Sequence, residues 1–287
     1  MCVAADSAGL RSNGHDCFSR SLTETKGDQQ MKTINVGIIG GTRGMGQWFA
    51  GLLQKENCTV HICGRKTALR INEMAKICNV VVVAVPISAT ADIIKQVGPL
   101  LAKDTLLMDL TSLKKEPVKL MLANSPAEVI GCHPLFGPDL TDVSGQNIVL
   151  YPARGTEWFP WIKNICEKNK LVVLETAPDE HDKMMAIVQA LNHLNTIILG
   201  MALAETDIPL EEITKFSTPI FKTKLEIIKK VFTETPELYA DIITENPQTG
   251  KMLDICEKTL TDIRQTIESG GGAKLKEAIE EAAKKLF

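Results

Sequence analysis

The chain has 287 residues, of which 44% are hydrophobic and 23% are charged, and its formal net charge is −3. This is the profile of a soluble globular protein with one large or two moderate domains, and its weak acidity argues against a nucleic-acid binder. Eight cysteines are scattered without a C-x-x-C motif or a paired metal-ligand spacing. The pattern argues against a disulfide framework and a bound metal, and it favours reduced thiols in a cytoplasmic protein.

Residues 1–30 differ in composition from the rest of the chain, since they are rich in Ser, Asp, Asn and Gly. They lack the apolar core of a secretory signal. We interpret this segment as a disordered extension, or as the product of an upstream start codon, without a catalytic role.

A glycine-rich loop joins the first predicted strand, residues 34–39, to a predicted amphipathic helix at residues 47–55. Glycines let the backbone approach a pyrophosphate, which then binds the N–H groups at the helix N-terminus. The match to G-x-G-x-x-G is imperfect because Arg43 takes the place of the middle glycine, and a plain tight turn is the alternative. The cofactor-binding residues predicted in the loop are Gly40, Gly41, Thr42, Arg43, Gly44, Met45 and Gly46.

The second predicted strand, residues 59–63, is followed by Arg65 and Lys66. A site for NAD usually carries Asp or Glu here, to accept a hydrogen bond from the ribose 2′-hydroxyl. Two cations instead suit a 2′-phosphate, and Arg43 can reinforce them from the glycine loop. The sequence therefore favours NADP, with NAD possible, and the alternative is that both side chains are merely solvated.

The apolar run at residues 79–86 predicts a central parallel strand covered on both faces, with Val85 and Pro86 at its cofactor-binding end. A further strand is predicted at residues 105–109, and Ser112 lies just beyond its carboxyl end. Ligands bind at this edge of a doubly wound sheet, so Ser112 is a candidate site residue. It can also serve as the N-cap of the helix that follows.

A stiff loop with one histidine follows the apolar residues 129–130, which are predicted to end a strand. Residues 131–139 contain two prolines and two glycines. Proline fixes φ and glycine permits backbone conformations that other residues avoid, so such a loop can hold the His133 side chain in one direction. The ordinary pKa of histidine lies near neutrality, which suits proton transfer. Taken alone, the pattern also fits a turn with a surface histidine.

Two more strands are predicted at residues 147–150 and 171–174, after which strand signals end. We therefore expect an α/β fold: a Rossmann-like, doubly wound, mostly parallel sheet domain at residues 31–177. An all-α domain for substrate binding and dimerisation follows at residues 178–287. Its later helices are predicted at residues 210–218, 220–233, 236–246, 248–269 and 273–287.

Residues 184–204 contain no charged side chain. The length permits a membrane span, but interrupting polar residues favour a helix buried in the protein or in a homodimer. Gln189, His193, Thr196 and Gly200 share one helical face, and this polar stripe could line a pocket. The alternative for His193 is a core histidine with a buried partner. We expect a homodimer through the helical domain, and neither a membrane nor a nucleic-acid partner.

Five segments, taken together, resemble the prephenate dehydrogenase family. The histidine loop H-P-x-F-G-P, the D-E-H-D sequence and the helical histidine make a specific combination, whereas the glycine loop is not specific. The resemblance covers most of residues 31–246 and is greatest to compact archaeal-type members without a fused chorismate mutase. The segments are residues 40–46, 111–114, 133–138, 179–182 and 189–193.

The resemblance implies NAD(P)-linked oxidative decarboxylation of prephenate to 4-hydroxyphenylpyruvate, in tyrosine biosynthesis. By this analogy His133 accepts the proton of the ring C4 hydroxyl as hydride leaves C4. Ser112 holds the hydroxyl or the nicotinamide. The substrate-binding residues that it implies are His193, Gln189, Lys114 and Asp139.

One departure concerns the substrate's charge. Many members bind a carboxylate with an arginine of the helical domain, but this chain has no arginine between Arg154 and Arg264. Prephenate is a dianion, and burying its charges unpaired is costly. Lys222, Lys224 or a residue of a partner subunit could substitute. The choice between prephenate and arogenate therefore stays open, as do another β-hydroxyacid-type NADP dehydrogenase or reductase and a non-catalytic NADP-sensing protein.

Overall fold

The structure, a computed structural model, describes residues 33–269 and 271–287, so the interpretation of residues 1–30 lies outside the described residues. Its centre is a seven-stranded sheet in the order β2-β1-β3-β4-β5-β6-β7. Neighbouring strands are parallel except for β5 and β6, which are antiparallel. The strands are β1 (Asn35–Ile39), β2 (Thr59–Cys63), β3 (Val80–Val83), β4 (Leu106–Asp109), β5 (Glu128–Pro134), β6 (Asn147–Arg154) and β7 (Val172–Glu175).

Helices cover both faces of the sheet. The four valines of β3 are fully buried, as a strand covered on both faces requires. One apolar cluster packs the sheet against α1 and α5, and a second cluster packs the opposite face against α2, α3 and α4. These helices are α1 (Gly44–Lys55), α2 (Ile71–Ile77), α3 (Ile87–Val97), α4 (Lys115–Asn124) and α5 (Trp158–Lys168).

The predicted doubly wound, mostly parallel sheet is confirmed, and several of its elements differ in extent. β3 ends at Val83 rather than at residue 86, and β6 continues to Arg154 rather than ending at residue 150. β5 continues through His133 to Pro134, although the strand was expected to end at residue 130. The extension forms because β6 supplies an antiparallel partner, with His133 opposite Val149. α1 begins at Gly44 rather than at residue 47, so the last glycines of the loop belong to the helix.

The chain beyond β7 is helical, as predicted. β7 ends at Glu175 and α6 begins at Pro178, while the exact domain boundary at residues 177–178 stays a prediction. A π-helical turn interrupts the long apolar helix at Ala186–Leu191. The α-helices of this part are α6 (Pro178–Met185), α7 (Asn192–Ala204), α8 (Leu210–Lys215), α9 (Pro219–Thr233), α10 (Pro236–Thr244), α11 (Thr249–Glu268) and α12 (Gly272–Leu286).

The segment Pro178–Ala204 is the part of the described chain that is long and apolar enough to cross a membrane, judged by length and composition only. Its 27 residues include a window of mean hydropathy 1.4, of which 17% is buried within the single chain. Val188 and Met201, for example, are 56% and 59% exposed. The helix is therefore not buried inside one copy of the protein, which leaves burial in a dimer as the surviving part of that expectation.

Candidate active site

The glycine loop packs closely against the end of β3, with no space for a side chain between their backbones. Gly40 has a φ of +92°, and a Cβ added there would lie 2.2 Å from the carbonyl oxygen of Ala84. A Cβ on Gly46 would lie 2.6 Å from the Gly40 carbonyl oxygen. No side chain of the described residues caps the first turn of α1, so its N–H groups can serve a phosphate. This cradle fits the pyrophosphate of a dinucleotide.

The predicted cations lie beside this cradle. The Gly40 N–H donates to the Cys63 carbonyl at 2.8 Å, so the loops after β1 and β2 leave the sheet side by side. A Cβ built on Gly64 would be 3.9 Å from the Thr42 methyl carbon. The side chains on these two loops are exposed and free to meet a charged ligand: Arg43, Arg65 and Lys66.

The loop after β3 closes the other side of the cradle. A Cβ on Gly40 would lie 3.1 Å from a methyl carbon of Val85, so Val85 stands directly against the glycine loop. Pro86 follows as the exposed N-cap of α3. Both residues therefore lie beside the cradle, and their contact with a cofactor stays a prediction.

His133 lies near the carboxyl end of β5 and is only 3% exposed, so the surface-histidine alternative is wrong. Its Nδ1 lies 2.9 Å from Nε2 of His181 in α6. Its Nε2 lies 3.4 Å from the amide nitrogen of Gln189 in the π-helical turn. Side chains of the helical region therefore enclose the ring from two sides.

A carboxylate continues this chain of polar groups. Oδ1 of Asp182 accepts from the Lys114 N–H at 2.8 Å and lies 2.7 Å from Nδ1 of His181. Its Oδ2 accepts from the Lys115 N–H at 3.0 Å. Asp182 thereby caps the N-terminus of α4 from another element. The series His133–His181–Asp182 is anchored on the backbone of that helix.

His181 and Asp182 were missed as site residues in the sequence. The acids around them predict a favourable helix start, and adjacent residues point to different sides of a helix. Their D-E-H-D sequence was the available signal. It identifies a conspicuous His-Asp pair, but no local pattern connects that pair to His133, 48 positions earlier.

Burial controls the protonation of His133. Loss of water around the ring is the largest cause that holds its pKa well below the usual 6.5, followed by the neighbouring His181 and the Lys114 ammonium. A buried imidazole resists the charged form, because that form loses its hydration. At neutral pH His133 is therefore neutral and has one nitrogen lone pair with which to accept a proton.

Lys114 corrects one of the predictions. It is 0% exposed, its ammonium is paired with the buried Asp109, and it donates to the Cys132 carbonyl at 2.7 Å. Gly131 leaves room for its stem, since a Cβ there would lie 3.3 Å from the Lys114 Cδ. An ammonium enclosed in this way has no surface to offer a substrate, so the expected substrate contact is wrong. Its effect on the site is electrostatic.

Ser112 and Asp139 lie on the connections around His133. Ser112 is half-buried between β4 and α4, but the N-cap of α4 is Lys114, so the N-cap alternative for Ser112 is wrong. Asp139 is exposed and lies 3.4 Å from the Lys230 ammonium of α9. Lys222 and Lys224, the lysines favoured by the sequence, are exposed on the same helix.

The polar stripe of the long helix is divided. Gln189 faces His133, whereas the ring of His193 packs edge-on against Tyr239 with centroids 4.7 Å apart. Gly200 faces Phe232, whose ring would lie 2.6 Å from an added Cβ. The π-helical turn adds a residue to one turn and so rotates the later residues away from the face of Gln189. The prediction of one continuous pocket-lining stripe is therefore wrong.

Comparison with known proteins matches both halves of the chain. The nucleotide-binding domain of prephenate dehydrogenase matches residues 53–175, and its dimerization domain matches residues 177–281. A probable arogenate/prephenate dehydrogenase of Methanocaldococcus jannaschii is 34% identical over an alignment of 275 positions that covers 88% of this chain and 62% of that protein. The T-protein of Haemophilus influenzae is 30% identical over an alignment of 266 positions that covers 90% of this chain and 71% of that protein. The chain thus spans less than two thirds of the archaeal relative.

Solved structures share the fold. Prephenate dehydrogenase of A. aeolicus, in complex with hydroxyphenyl propionate and NAD+, has a TM-score of 0.72 at 21% identity and covers 90% of this chain and 98% of its own. Arogenate dehydrogenase of Synechocystis has a TM-score of 0.67 at 17% identity, with coverages of 88% and 98%. With the two domain matches and the relatives at 30% identity or more, these findings assign the chain to the prephenate dehydrogenase family.

Proposed function

We propose that this protein catalyses the oxidative decarboxylation of prephenate to 4-hydroxyphenylpyruvate, with NADP as the hydride acceptor, in tyrosine biosynthesis. The observation that carries the proposal is His133: a buried, neutral imidazole at the sheet edge where the glycine loop also lies. Membership of the prephenate dehydrogenase family supports the same reaction.

The dinucleotide supplies the hydride acceptor when it is bound. His133 Nε2 accepts the proton of the C4 hydroxyl as the C4 hydride departs, and the C1 carboxylate leaves as carbon dioxide while the ring becomes aromatic. The proton then returns from His133 to the phenolate oxygen, which restores the hydroxyl of the product and the neutral imidazole. The amide nitrogen of Gln189 lies 3.4 Å from His133 Nε2. When the hydroxyl binds, this amide therefore moves aside, or the amide and the hydroxyl both contact Nε2. Aromatisation makes the step effectively irreversible.

The proposed substrate contacts are residues near His133. Ser112 follows β4, the strand that pairs with β5, and we propose that it holds the hydroxyl or the nicotinamide. Gln189 has a buried carbonyl oxygen with no hydrogen-bond partner among the described residues, which suits a ligand donor. Asp139, on the connection after His133, is a further proposed contact, whereas His193 packs against Tyr239 on another face of the helix.

The two charges of the substrate require cations. Arg154 is occupied, because its guanidinium donates to the backbone carbonyls of Leu122, Ser125 and Ala127. Lys222 and Lys224, or a residue of a partner subunit, remain the proposed carboxylate ligands. Lys230 joins them as a third candidate, since it already reaches the histidine segment through Asp139.

NADP is proposed over NAD because three exposed cations surround the cradle and no acid occupies the end of β2. Arg65 and Lys66 are the proposed ligands of a 2′-phosphate, and Arg43 lies on the adjoining loop. A charge-assisted hydrogen bond to phosphate is stronger than a neutral one.

Arogenate is the second candidate substrate. It carries an amino group where prephenate has a keto group, so it brings one positive charge and needs fewer protein cations. The scarcity of arginines in the helical region favours it on that ground. The archaeal relative named for both substrates is compatible with either.

Purified protein mixed with each combination of NADP or NAD and prephenate or arogenate tests these proposals. We expect turnover, followed by the absorbance of the reduced dinucleotide, to be fastest with NADP and prephenate. Faster turnover with arogenate would reverse the substrate assignment. Tight NADP binding without turnover of either compound would favour the NADP-sensing alternative, and turnover of other β-hydroxyacids alone would favour the general dehydrogenase.

Assembly and location follow the same reasoning. The dimerization domain matched at residues 177–281 and the exposed apolar helix support a homodimer through the helical part. A cytoplasmic location is proposed from the free cysteines among the described residues and the family's biosynthetic chemistry.

A further inference from the structure

The hydrogen bonds of Asp182 determine the direction of its bond with His181. Backbone N–H groups can only donate, and those of Lys114 and Lys115 point at the two carboxylate oxygens at 2.8 and 3.0 Å. An ionised carboxylate can only accept. The third bond, at 2.7 Å, must therefore be donated by Nδ1–H of His181.

The protonation of His181 in turn determines the donor in its hydrogen bond with His133. A neutral His181 with its proton on Nδ1 has a lone pair on Nε2, which lies 2.9 Å from Nδ1 of His133. A hydrogen bond at this distance needs one donor, so the proton lies on Nδ1 of His133. The lone pair of His133 is consequently on Nε2, the atom that faces Gln189.

We infer that His181, held by Asp182, is a positioning residue that keeps His133 in the tautomer with its proton on Nδ1 and its accepting lone pair on Nε2. This inference rests on the proposed function for its catalytic meaning, because only that tautomer can take a hydroxyl proton at Nε2. His181 does not touch the reacting atoms itself.

The charged groups around His133 are consistent with this role. His181 and the Asp182 carboxylate lie on its Nδ1 side, while the Lys114 ammonium is paired with the Asp109 carboxylate. When Nε2 gains the proton, the Asp182 charge lies one imidazole away and offsets the new positive charge. The opposite arrangement, an imidazolium at His181 that donates to His133, would place the His133 proton on Nε2 and block acceptance.

Nitrogen NMR of isotope-labelled histidine side chains tests the tautomer without any turnover. His133 is assigned by the signals that disappear in His133→Asn. At neutral pH we expect its Nδ1 to show the shift of a protonated nitrogen and its Nε2 that of an unprotonated one. The reverse pattern in the wild-type protein would overturn the inference. Because no substrate is needed, this result is independent of whether the proposed reaction is correct.

Two substitutions test the catalytic meaning. His181→Leu removes the acceptor for Nδ1–H, and we expect kcat to fall by about 10²-fold, within the 10²–10⁴ typical of general base catalysis. His181→Gln places an amide oxygen near the lost nitrogen and should restore most of the rate. The KM for NADP should change little in both, because the phosphate cradle lies on other loops.

Controls separate this role from a structural one. His61→Leu alters a half-buried histidine of β2 that bonds to Asn35, and it should keep the wild-type rate. Rates are normalised to the folded fraction from circular dichroism. An unchanged kcat in His181→Leu, or equal losses in the Leu and Gln variants at equal folded fraction, would contradict the inference. If the wild-type protein turns over neither substrate, the proposed function fails while the NMR result still decides the tautomer.

Discussion

At His133, the burial that removes the ring from water also keeps it neutral. Its pKa lies well below the usual 6.5, chiefly through desolvation. A base with a lowered pKa is available over a wide range of pH, at some loss of proton affinity. The departure of the hydride makes the C4 hydroxyl more acidic as the reaction proceeds. His133 is therefore suited to accept the hydroxyl proton despite its lowered proton affinity.

His133→Asn tests the base directly. We expect kcat to fall by about 10²–10⁴ because the asparagine amide cannot accept the proton. The wild-type rate should decrease only at a pH below 6.5, as the lowered pKa requires, and the variant should lack this acid limb. Measurements of kcat against pH, with NADP affinity as the control, decide the matter. A variant that keeps most of its rate would show that His133 is not the base.

The same ionisation affects stability. The unfolded chain binds a proton at His133 near pH 6.5, whereas the folded chain binds it only at lower pH. Between these values the unfolded state holds more protons, so the free energy of unfolding decreases as the pH falls below about 6.5. Urea titrations of wild type and His133→Asn should show a smaller acid loss in the variant. Equal pH dependence would argue that the histidine is not buried in its neutral form.

Arg65 tests the cofactor assignment. The loss of a charge-assisted contact costs about 1.5–3 kcal/mol, so Arg65→Ser should reduce the preference in kcat/KM for NADP over NAD by roughly tenfold or more. Lys103→Ser, which removes an exposed cation on the connection before β4, serves as the matched control. Equal use of NADP and NAD by the unmutated protein would contradict the assignment.

At the scale of elements, the glycine loop and α1 act as one unit because α1 begins inside the loop. The helix approaches the strand ends so closely that its second glycine, Gly46, has no space for a side chain. Further along the same helix, Gly51 has open space around it. The two positions allow the close approach to be separated from ordinary helix stability.

Gly46→Ala should weaken NADP binding by about tenfold or more, because overpacking costs about 1–3 kcal/mol and 1.4 kcal/mol corresponds to tenfold. Its melting temperature should also fall. Gly51→Ala should instead stabilise the protein by about 0.5–1 kcal/mol and leave NADP binding unchanged, since alanine is the better helix former. Calorimetric binding and melting curves measure both effects. An equal response of the two variants would refute the close-approach argument.

The π-helical turn decides which helical side chains meet His133. It places Gln189 over the imidazole and leaves His193 against Tyr239. Such turns occur frequently at functional sites, because the extra residue changes side-chain directions without breaking the helix. In this helix Gln189, inside the turn, faces the base, whereas His193, after the turn, packs within the helical region.

At the scale of the whole molecule, the helical part exposes many large apolar side chains. Ile198 and Met201 of α7 are 52% and 59% exposed, one turn apart. Contiguous apolar surface of this kind marks an interface, and the family's dimerization domain covers the same segment.

We expect a dimeric mass for the wild-type protein in light scattering at micromolar concentration, and a shift toward monomer in Met201→Asp, since a buried unpaired charge is costly at an interface. Leu100→Asp, at a position that is 47% exposed in the α/β part, should remain dimeric. A monomeric wild-type protein would rule out the proposed homodimer, and a dimeric Met201→Asp variant would place the interface elsewhere.

The sequence by itself determined the fold class, most strand positions, the cradle and its cations. These features depend on local signals: apolar runs for buried strands, glycines where the backbone must approach closely, and charges that follow a strand end. His133 was identified as a candidate for the same reason, since its neighbours in the chain already restrict its direction.

Only the tertiary structure decided which groups surround that histidine. β5 extends to Pro134 because β6 pairs with it, and Lys114 becomes an enclosed ion-pair partner because Asp109 lies on the strand before it. The bond to His181 joins positions 48 residues apart, and no local pattern specifies such a contact. The protonation and tautomer of the base follow from burial and from hydrogen-bond partners, and both exist only once the sheet and the helices have packed together.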